Sequence, residues 1–428
     1  MSKIHHCLIA IFLFTAIPSI NAQTPSILLF TQDTSYRQSS TMIQLYGNGL
    51  IGSNALDNNY FKKSLFGGHL DEAHLEKLYG EMNSQNRAGF YANGGINFYN
   101  FKDTLLNKPL WGLRAGISTN YHANVSFNKD LFKTIYQGNQ TFAGQTATLA
   151  PLTASYQAWQ KFSVGVFNKQ TWSALSLSLV AGQQYQSLDV NHAALFTSQI
   201  GDSLSFSYIG DYNRSDSLKK GFANGSGLGL AVDFDLNLPL QDKKSVISIT
   251  IQDVGFMVWN KRSQQFNFDS LTTWTGLEVN NLFNLTTDTL DFPNLKDSIH
   301  YEKNNGSFLA PLPASVHLRY ASYYAEKHLY EIGISVWANR AALPMLYAGA
   351  SQFLTKQFML SERISYGGYG RLGIGIEAQW MPCNTWLIRA GTNHIEGFIS
   401  KNTYSTSGYF TLGKFFGRVQ ESELRLED

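Results

Sequence analysis

No stretch of this chain comes near the roughly 18 consecutive apolar residues a helix needs to cross a bilayer, so helical membrane crossing is excluded. Cysteine is almost missing: Cys7 and Cys383 are the only two. Cys7 falls in an apolar leader, and what remains cannot form an internal disulfide. Charge is sparse at 15% and nearly balanced, with 33 basic against 31 acidic side chains. No polybasic arm is present to draw nucleic acid. The ten histidines are scattered, His5 and His6 in the leader, and no HxH or HExxH pattern offers a metal site. No GxSxG presents a nucleophilic serine. Gly225-Ser226-Gly227-Leu228-Gly229 looks like a phosphate loop but leads into a strand, so no helix N-terminus stands behind it. Ser315 and His317 share a strand face, as alternation often arranges. Asp71, Glu72 and Glu76 suit the solvated, N-terminal side of a helix. No catalytic residue, metal ligand or cofactor can be named, and an enzyme is not expected.

What is present is export and alternation. Residues 1–22 read as a cleaved secretory signal: Lys3 is its basic start, Leu8 to Ile17 its apolar run, and Pro18, Ser19 and Ala22 precede a cut before Gln23. Aromatics reach 14%, and 36 glycines accompany them. Fourteen segments alternate apolar and polar: 39–51, 86–101, 110–127, 152–168, 171–188, 225–239, 243–260, 312–324, 327–339, 343–355, 357–367, 370–382, 384–396 and 402–416. Tight polar turns such as Asn168 to Thr171 and Thr355 to Gln357 fall between every second pair of strands. The long connections, 52–85, 128–151, 189–224 and 261–311, alternate with them. An all-β, antiparallel transmembrane barrel of about 14 strands produces this pattern, with short turns in the periplasm and long loops outside. Leu70 to Met82 has helical spacing within one long connection, and residues 192–212 suggest a hairpin above the membrane.

A barrel in lipid turns its apolar face outward, because Arg or Lys at the midplane costs roughly 2–4 kcal/mol. The polar faces therefore point inward. They place Arg114, Lys161, Asp233, Asp235, His317, Arg319, Glu331, Arg363, Glu377 and Arg389 in the lumen. Both signs occur, so the interior is no simple charge filter, and an ion-pair lattice bracing the wall is favoured over a polar passage with selectivity. Trp111, Trp380, Trp386 and Trp259 have lipid-facing parity and suit an interfacial girdle. Trp172 and Trp337 have polar parity and imply a bulge or a place at the mouth. Asp253 and Glu362 interrupt apolar faces, so each marks a bulge, a lateral opening or a site outside the hydrocarbon. Residues 23–38 form a leader long enough to enter the lumen, and Ile27, Leu28, Leu29 and Phe30 are its plug candidates. The barrel spans 39–416, and 417–428 form a charged periplasmic tail.

The segments KSLFGGHLDEAHLEKLYGEMNSQNRAGFYANGGINFY (63–99), GSGLGLAVDFDL (225–236) and ITIQDVGFMVWNK (249–261) resemble an uncharacterised Bacteroidota outer-membrane barrel family, the domain of unknown function 5723. That family is similar in architecture to FadL-like fatty-acid channels and to barrel partners of the type IX secretion system. The resemblance implies outer-membrane lipid as the surroundings and supplies no active site. It implies a FadL-like channel for hydrophobic or amphipathic small molecules, with a greasy pocket and a kinked wall. The alternative it implies is a barrel partner in type IX secretion or surface anchoring, binding a secretion-system protein.

Overall fold

The computed structural model describes residues 39–102, 110–216, 225–242, 244–274, 301–325, 327–382 and 385–418. The signal, the Ile27 to Phe30 cluster and the end of the charged tail lie outside the described residues.

Nineteen strands share one sheet: β1 (Ser39–Ser53), β2 (Gln85–Asn100), β3 (Trp111–Asn128), β4 (Gln145–Thr148), β5 (Leu152–Asn168), β6 (Ala174–Thr197), β7 (Leu204–Arg214), β8 (Gly227–Pro239), β9 (Ser245–Trp259), β10 (Gln264–Trp274), β11 (Tyr301–Asn305), β12 (Phe308–Pro311), β13 (Ser315–Ala325), β14 (His328–Trp337), β15 (Leu343–Phe353), β16 (Phe358–Gly368), β17 (Leu372–Trp380), β18 (Trp386–Thr392) and β19 (Ser405–Arg418). Fourteen of them form a closed antiparallel barrel. Closure comes where β1 pairs with β19 from Ser39↔Arg418 to Gly52↔Ser405. With no free edge, the backbone hydrogen bonds of the wall are satisfied within it, as lipid requires.

Strand β8 shows how the sequence orients the wall. Leu228, Leu230 and Val232 are exposed on its outer face, while Ala231, Asp233, Asp235 and Asn237 are buried on its inner face. Leu175, Leu177 and Leu179 repeat the pattern on β6, as do Leu372, Ile374 and Ile376 on β17. A soluble protein does not leave a belt of this extent in water, and the belt instead faces hydrocarbon. Trp380 is exposed on the outside near the short-turn end, and the Lys414 ammonium sits 4.4 Å from the Trp386 ring nearby.

Trp259 is a correction. It is buried inside the wall against Trp159, Met257 and Leu312 rather than turned to lipid. A bulge at Asp253, whose φ is 55°, shifts the β8–β9 register between Val232 and Phe234. The added residue reverses the parity of everything after it. Val254, Phe256 and Val258 therefore face out, and Met257 and Trp259 face in.

Among the described residues, three helices of nine or ten residues cap the long-loop end, α1 (Asn58–Phe66), α2 (Glu72–Glu81) and α3 (Lys129–Gln137), beside two four-residue helical turns at Asn139–Phe142 and Glu396–Ile399. Each of the three helices starts at a side-chain cap, Asp57, Asp71 and Asn128, which accepts a hydrogen bond from an N–H of the first turn. The predicted helix at 70–82 is α2, with Leu75 and Leu78 buried against Ala88, Phe127 and Phe132. Lys63 Nζ, 3.1 Å away, and the His74 N–H hold the exposed Asp71 carboxyl below its ordinary pKa. The expected hairpin at 192–212 is the far half of β6 paired with β7. It joins β4, β10 and β11 in a sheet extension beyond the barrel, packed by Phe142, Ala147 and Tyr208.

Candidate functional site

Alternation delivers side chains of both signs to the barrel interior, and the fold pairs them in two groups. In the first, Lys161 on β5 donates to both carboxylate oxygens of Asp233 at 3.0 Å and to Asp253 at 2.6 Å. Arg114 on β3 reaches Asp235 at 3.2 Å. In the second, Glu331 on β14 is paired with Arg319 at 2.7 Å and with Arg363, which crosses from β16. Arg363 also donates to Asn393 at 3.2 Å. Glu377 on β17 accepts from Arg389 at 2.5 Å and from the Tyr409 hydroxyl. These side chains are mostly buried, so the lattice fills space as well as balancing charge.

Beneath it, at the short-turn end, Met42, Tyr99, Phe101, Phe167, Trp172, Met381, Leu387 and Phe415 form a buried cluster. Trp172 reaches inward because it occupies a turn with φ 58°, and its ring stacks on Phe167 at 5.5 Å. Aromatic cluster and ion-pair lattice together fill the short-turn half of the lumen among the described residues.

The long-loop half is open. A cavity of about 660 Å³ opens at the mouth, lined by His122, Asn124, Gln157, Asn213 and Arg340 among others. A narrower pocket of about 60 Å³ lies beside it, bounded by Tyr91, Asn120, Trp159, Gln252, Asp253 and Trp337. His122 and Pro313 line both spaces. The inner face of β3 supplies a polar column, Ser118, Asn120, His122 and Asn124, all buried. Tyr369, from the connection between β16 and β17, is buried against His122, the histidine common to the two spaces. Gly367 and Gly368, both with positive φ, turn this connection into the mouth. The Tyr369 hydroxyl meets His122 Nε2 at 2.9 Å and accepts from Asn339 at 3.1 Å. Its ring fits because Gly89 has no side chain: a Cβ there would lie 2.3 Å from it.

The narrow pocket abuts a break in the wall. β12 pairs with β9 as far as Pro311↔Phe256, and β13 resumes at Ser315↔Gln252. Leu312, Pro313 and Ala314 lie between, opposite the Asp253 bulge, and one backbone bond, from the Leu312 N–H to the Gly255 carbonyl at 3.1 Å, crosses the gap. Proline cannot donate to a ladder, so the sequence Pro311-Leu312-Pro313 interrupts it.

His317 is buried, with Nδ1 2.8 Å from the Ser335 hydroxyl and Nε2 3.0 Å from Ser315, and Trp337 packs edge-on against it. Of the alternatives at Glu362, the bulge is the one the register removes. The residue pairs with Ala350 and Ile376 in unbroken register and is exposed on the outer wall between Leu360 and Ile364. The expected greasy pocket also differs, since the larger internal space has a mostly polar wall and the narrow one a wall divided about evenly between polar and apolar atoms. The apolar hollow, about 630 Å³, is on the outer surface between Leu318, Ile332, Leu346 and Ile364. Sequence reasoning did not select His122, Gln157, Trp159 or Tyr369. The first was visible in the alternation of Ser118, Asn120, His122 and Asn124, whereas Tyr369 depends on how a loop folds back.

The fold and this interior define a transmembrane β-barrel whose lumen is filled at the short-turn end and hollow at the loop end. Residues 39–389 match the model of the family of unknown function DUF5723, and the chain belongs to that family. No curated protein matches it. Among solved structures the chain is similar to the toluene transporter TodX of Pseudomonas putida, with TM-score 0.40 and 10% identity over 92% of this chain and 93% of that one. It is also similar to the toluene transporter TbuX of Ralstonia pickettii, with TM-score 0.37 and 7% identity over 89% and 90%. The translocator domain of the autotransporter NalP from Neisseria meningitidis gives TM-score 0.31 and 9% identity over 97% and 98%. Values this low assign no ligand to the present chain.

Proposed function

We propose that this protein is an outer-membrane barrel that takes a small amphipathic molecule in at its loop-end mouth and releases it sideways through the wall. One observation carries the reading. The outward-opening cavity and the narrow pocket share His122 and Pro313, and the pocket ends at the interrupted ladder around Asp253 and Pro313. The ion pairs and aromatic cluster below favour this exit over a straight path to the short-turn end. The mostly polar wall of the outer cavity suits the head of the molecule, and the apolar outer face beside the break, with Val254, Phe256 and Val316, suits its tail. The loops then face outside and the short turns face the periplasm, as the even strand number and an exported chain imply. Purification from native membranes in mild detergent, followed by mass spectrometry of everything retained, tests the reading. A bound amphipathic small molecule that resists exchange with detergent supports it. A stoichiometric protein partner and no such molecule would replace it with the secretion or anchoring role.

A further inference from the structure

We infer that the molecule admitted at the mouth carries an uncharged, polyhydroxylated head, a sugar or polyol, rather than a carboxylate or an ammonium. The inference rests on the passage proposed above. Its first support is a set of buried hydrogen-bond donors with no partner among the described residues. Gln157 Nε2 borders the outer cavity, and Trp159 Nε1, Gln252 Nε2 and the Tyr91 hydroxyl border the narrow pocket. Gln157 is 5% exposed and Trp159 3%. A buried donor left unbonded is costly, and a ligand that supplies oxygen lone pairs removes the cost. An ammonium offers no lone pair to these N–H groups.

The second support is the charge pattern. Arg340 is paired with Asp189, and Lys161 with Asp233 and Asp253. Asp211 accepts from Asn267 at 2.9 Å at the rim of the same cavity. A carboxylate head would thus meet carboxylates and no unpaired cation along the two spaces among the described residues. A hydroxyl both accepts and donates. It can satisfy Gln157 and Trp159 and return a hydrogen to Thr153 Oγ1 or Asn48 Oδ1, which also lack partners. Tyr185 borders the outer cavity and offers apolar ring atoms to the C–H side of a sugar ring. The cavity, about 660 Å³, is large enough for a head of one or two rings.

The test is titration calorimetry on the full-length barrel in lipid nanodiscs with three six-carbon-chain probes: hexyl β-glucoside, hexanoate and hexyltrimethylammonium, each below its micelle concentration. Saturable binding of the glucoside is expected, with the charged probes weaker. Trp159→Phe keeps the packing and removes one N–H, and Gln157→Ala removes the second donor; each should weaken the glucoside by about tenfold. Folding of both variants is checked by heat-modifiable gel migration. Tighter binding of hexanoate or the ammonium would overturn the sugar assignment and leave the passage standing. Glucoside binding unchanged in both variants would also overturn it. Failure of all three probes would overturn the inference and the passage together.

Discussion

Lys161→Met is the most informative single change in the barrel interior. The Lys161 ammonium lies 3.0 Å from both oxygens of Asp233 and 2.6 Å from Asp253, and its side chain is 8% exposed. At an effective dielectric of about 20, unit charges roughly 3 Å apart attract by about 5 kcal/mol. Desolvation of the three groups offsets much of that gain, so the intact cluster contributes little net stability. Removing the lysine alone is different, because two buried carboxylates then face each other without a counter-charge. The expected loss is about 3–5 kcal/mol. Combining Lys161→Met with Asp233→Asn and Asp253→Asn should return the barrel to within about 1 kcal/mol of the parent, since no unpaired charge remains. Urea titration of the barrel refolded into lipid vesicles, followed by tryptophan fluorescence and gel migration, reads both numbers. A loss below about 1 kcal/mol for the single variant would match a solvated surface pair. It would refute the claim that this half of the lumen is filled.

Other consequences follow from the same geometry. Tyr369→Ala, and separately Gly89→Ala, should clear the Tyr369 ring from the mouth and speed thiol labelling of Asn120→Cys; an unchanged rate would mean the ring is no barrier. Asp57, buried at the start of α1 and 2.8 Å from His74, should cost about 1–2 kcal/mol when changed to Ala, read as faster hydrogen exchange confined to α1 and α2. Asp71 has a depressed pKa, so its bond to the His74 N–H is complete above the ordinary carboxylate range and is lost as pH falls through the lowered value. Protection factors in the first turn of α2, taken against the intrinsic exchange rate at each pH, should therefore fall in acid, and Asp71→Asn should abolish that fall. Glu362→Leu should raise the free energy of unfolding by up to about 1 kcal/mol, because the carboxylate is on the apolar outer wall; a loss would show that the glutamate meets a partner there.

The wall was legible in the sequence because period-two alternation and turn placement are local properties. Leu175, Leu177 and Leu179 against Ser176 and Ser178 orient β6 without any knowledge of its neighbours. The charged interior followed from the same parity, but which charge meets which did not. Glu331 joins Arg319 and Arg363 through barrel curvature, and no spacing along the chain encodes that. Parity also misled once. The Asp253 bulge adds one residue to β9, so Trp259 turns inward although the residues before the bulge predict the reverse. Glu362 carries the same local signal, a carboxylate among apolar residues, yet its ladder is regular. The segment after Asn128 folds as α3 through its Asn128 cap and the burial of Phe132, a contact made only once the neighbouring strands are in place. Tyr369 is of the same kind: its position depends on Gly89, nearly three hundred residues earlier.

The central claim is a cavity open to the outside above a closed short-turn half, and thiol labelling on intact cells tests it most directly. With Cys383→Ser as background, Ser155→Cys places a thiol in the outer cavity and Ser176→Cys one beside Asp233 in the lattice. A membrane-impermeant maleimide should label the first readily and leave the second unmodified until the barrel is unfolded. Equal labelling of the two thiols in folded barrels would show an open bore through the ion-pair lattice and would contradict the account.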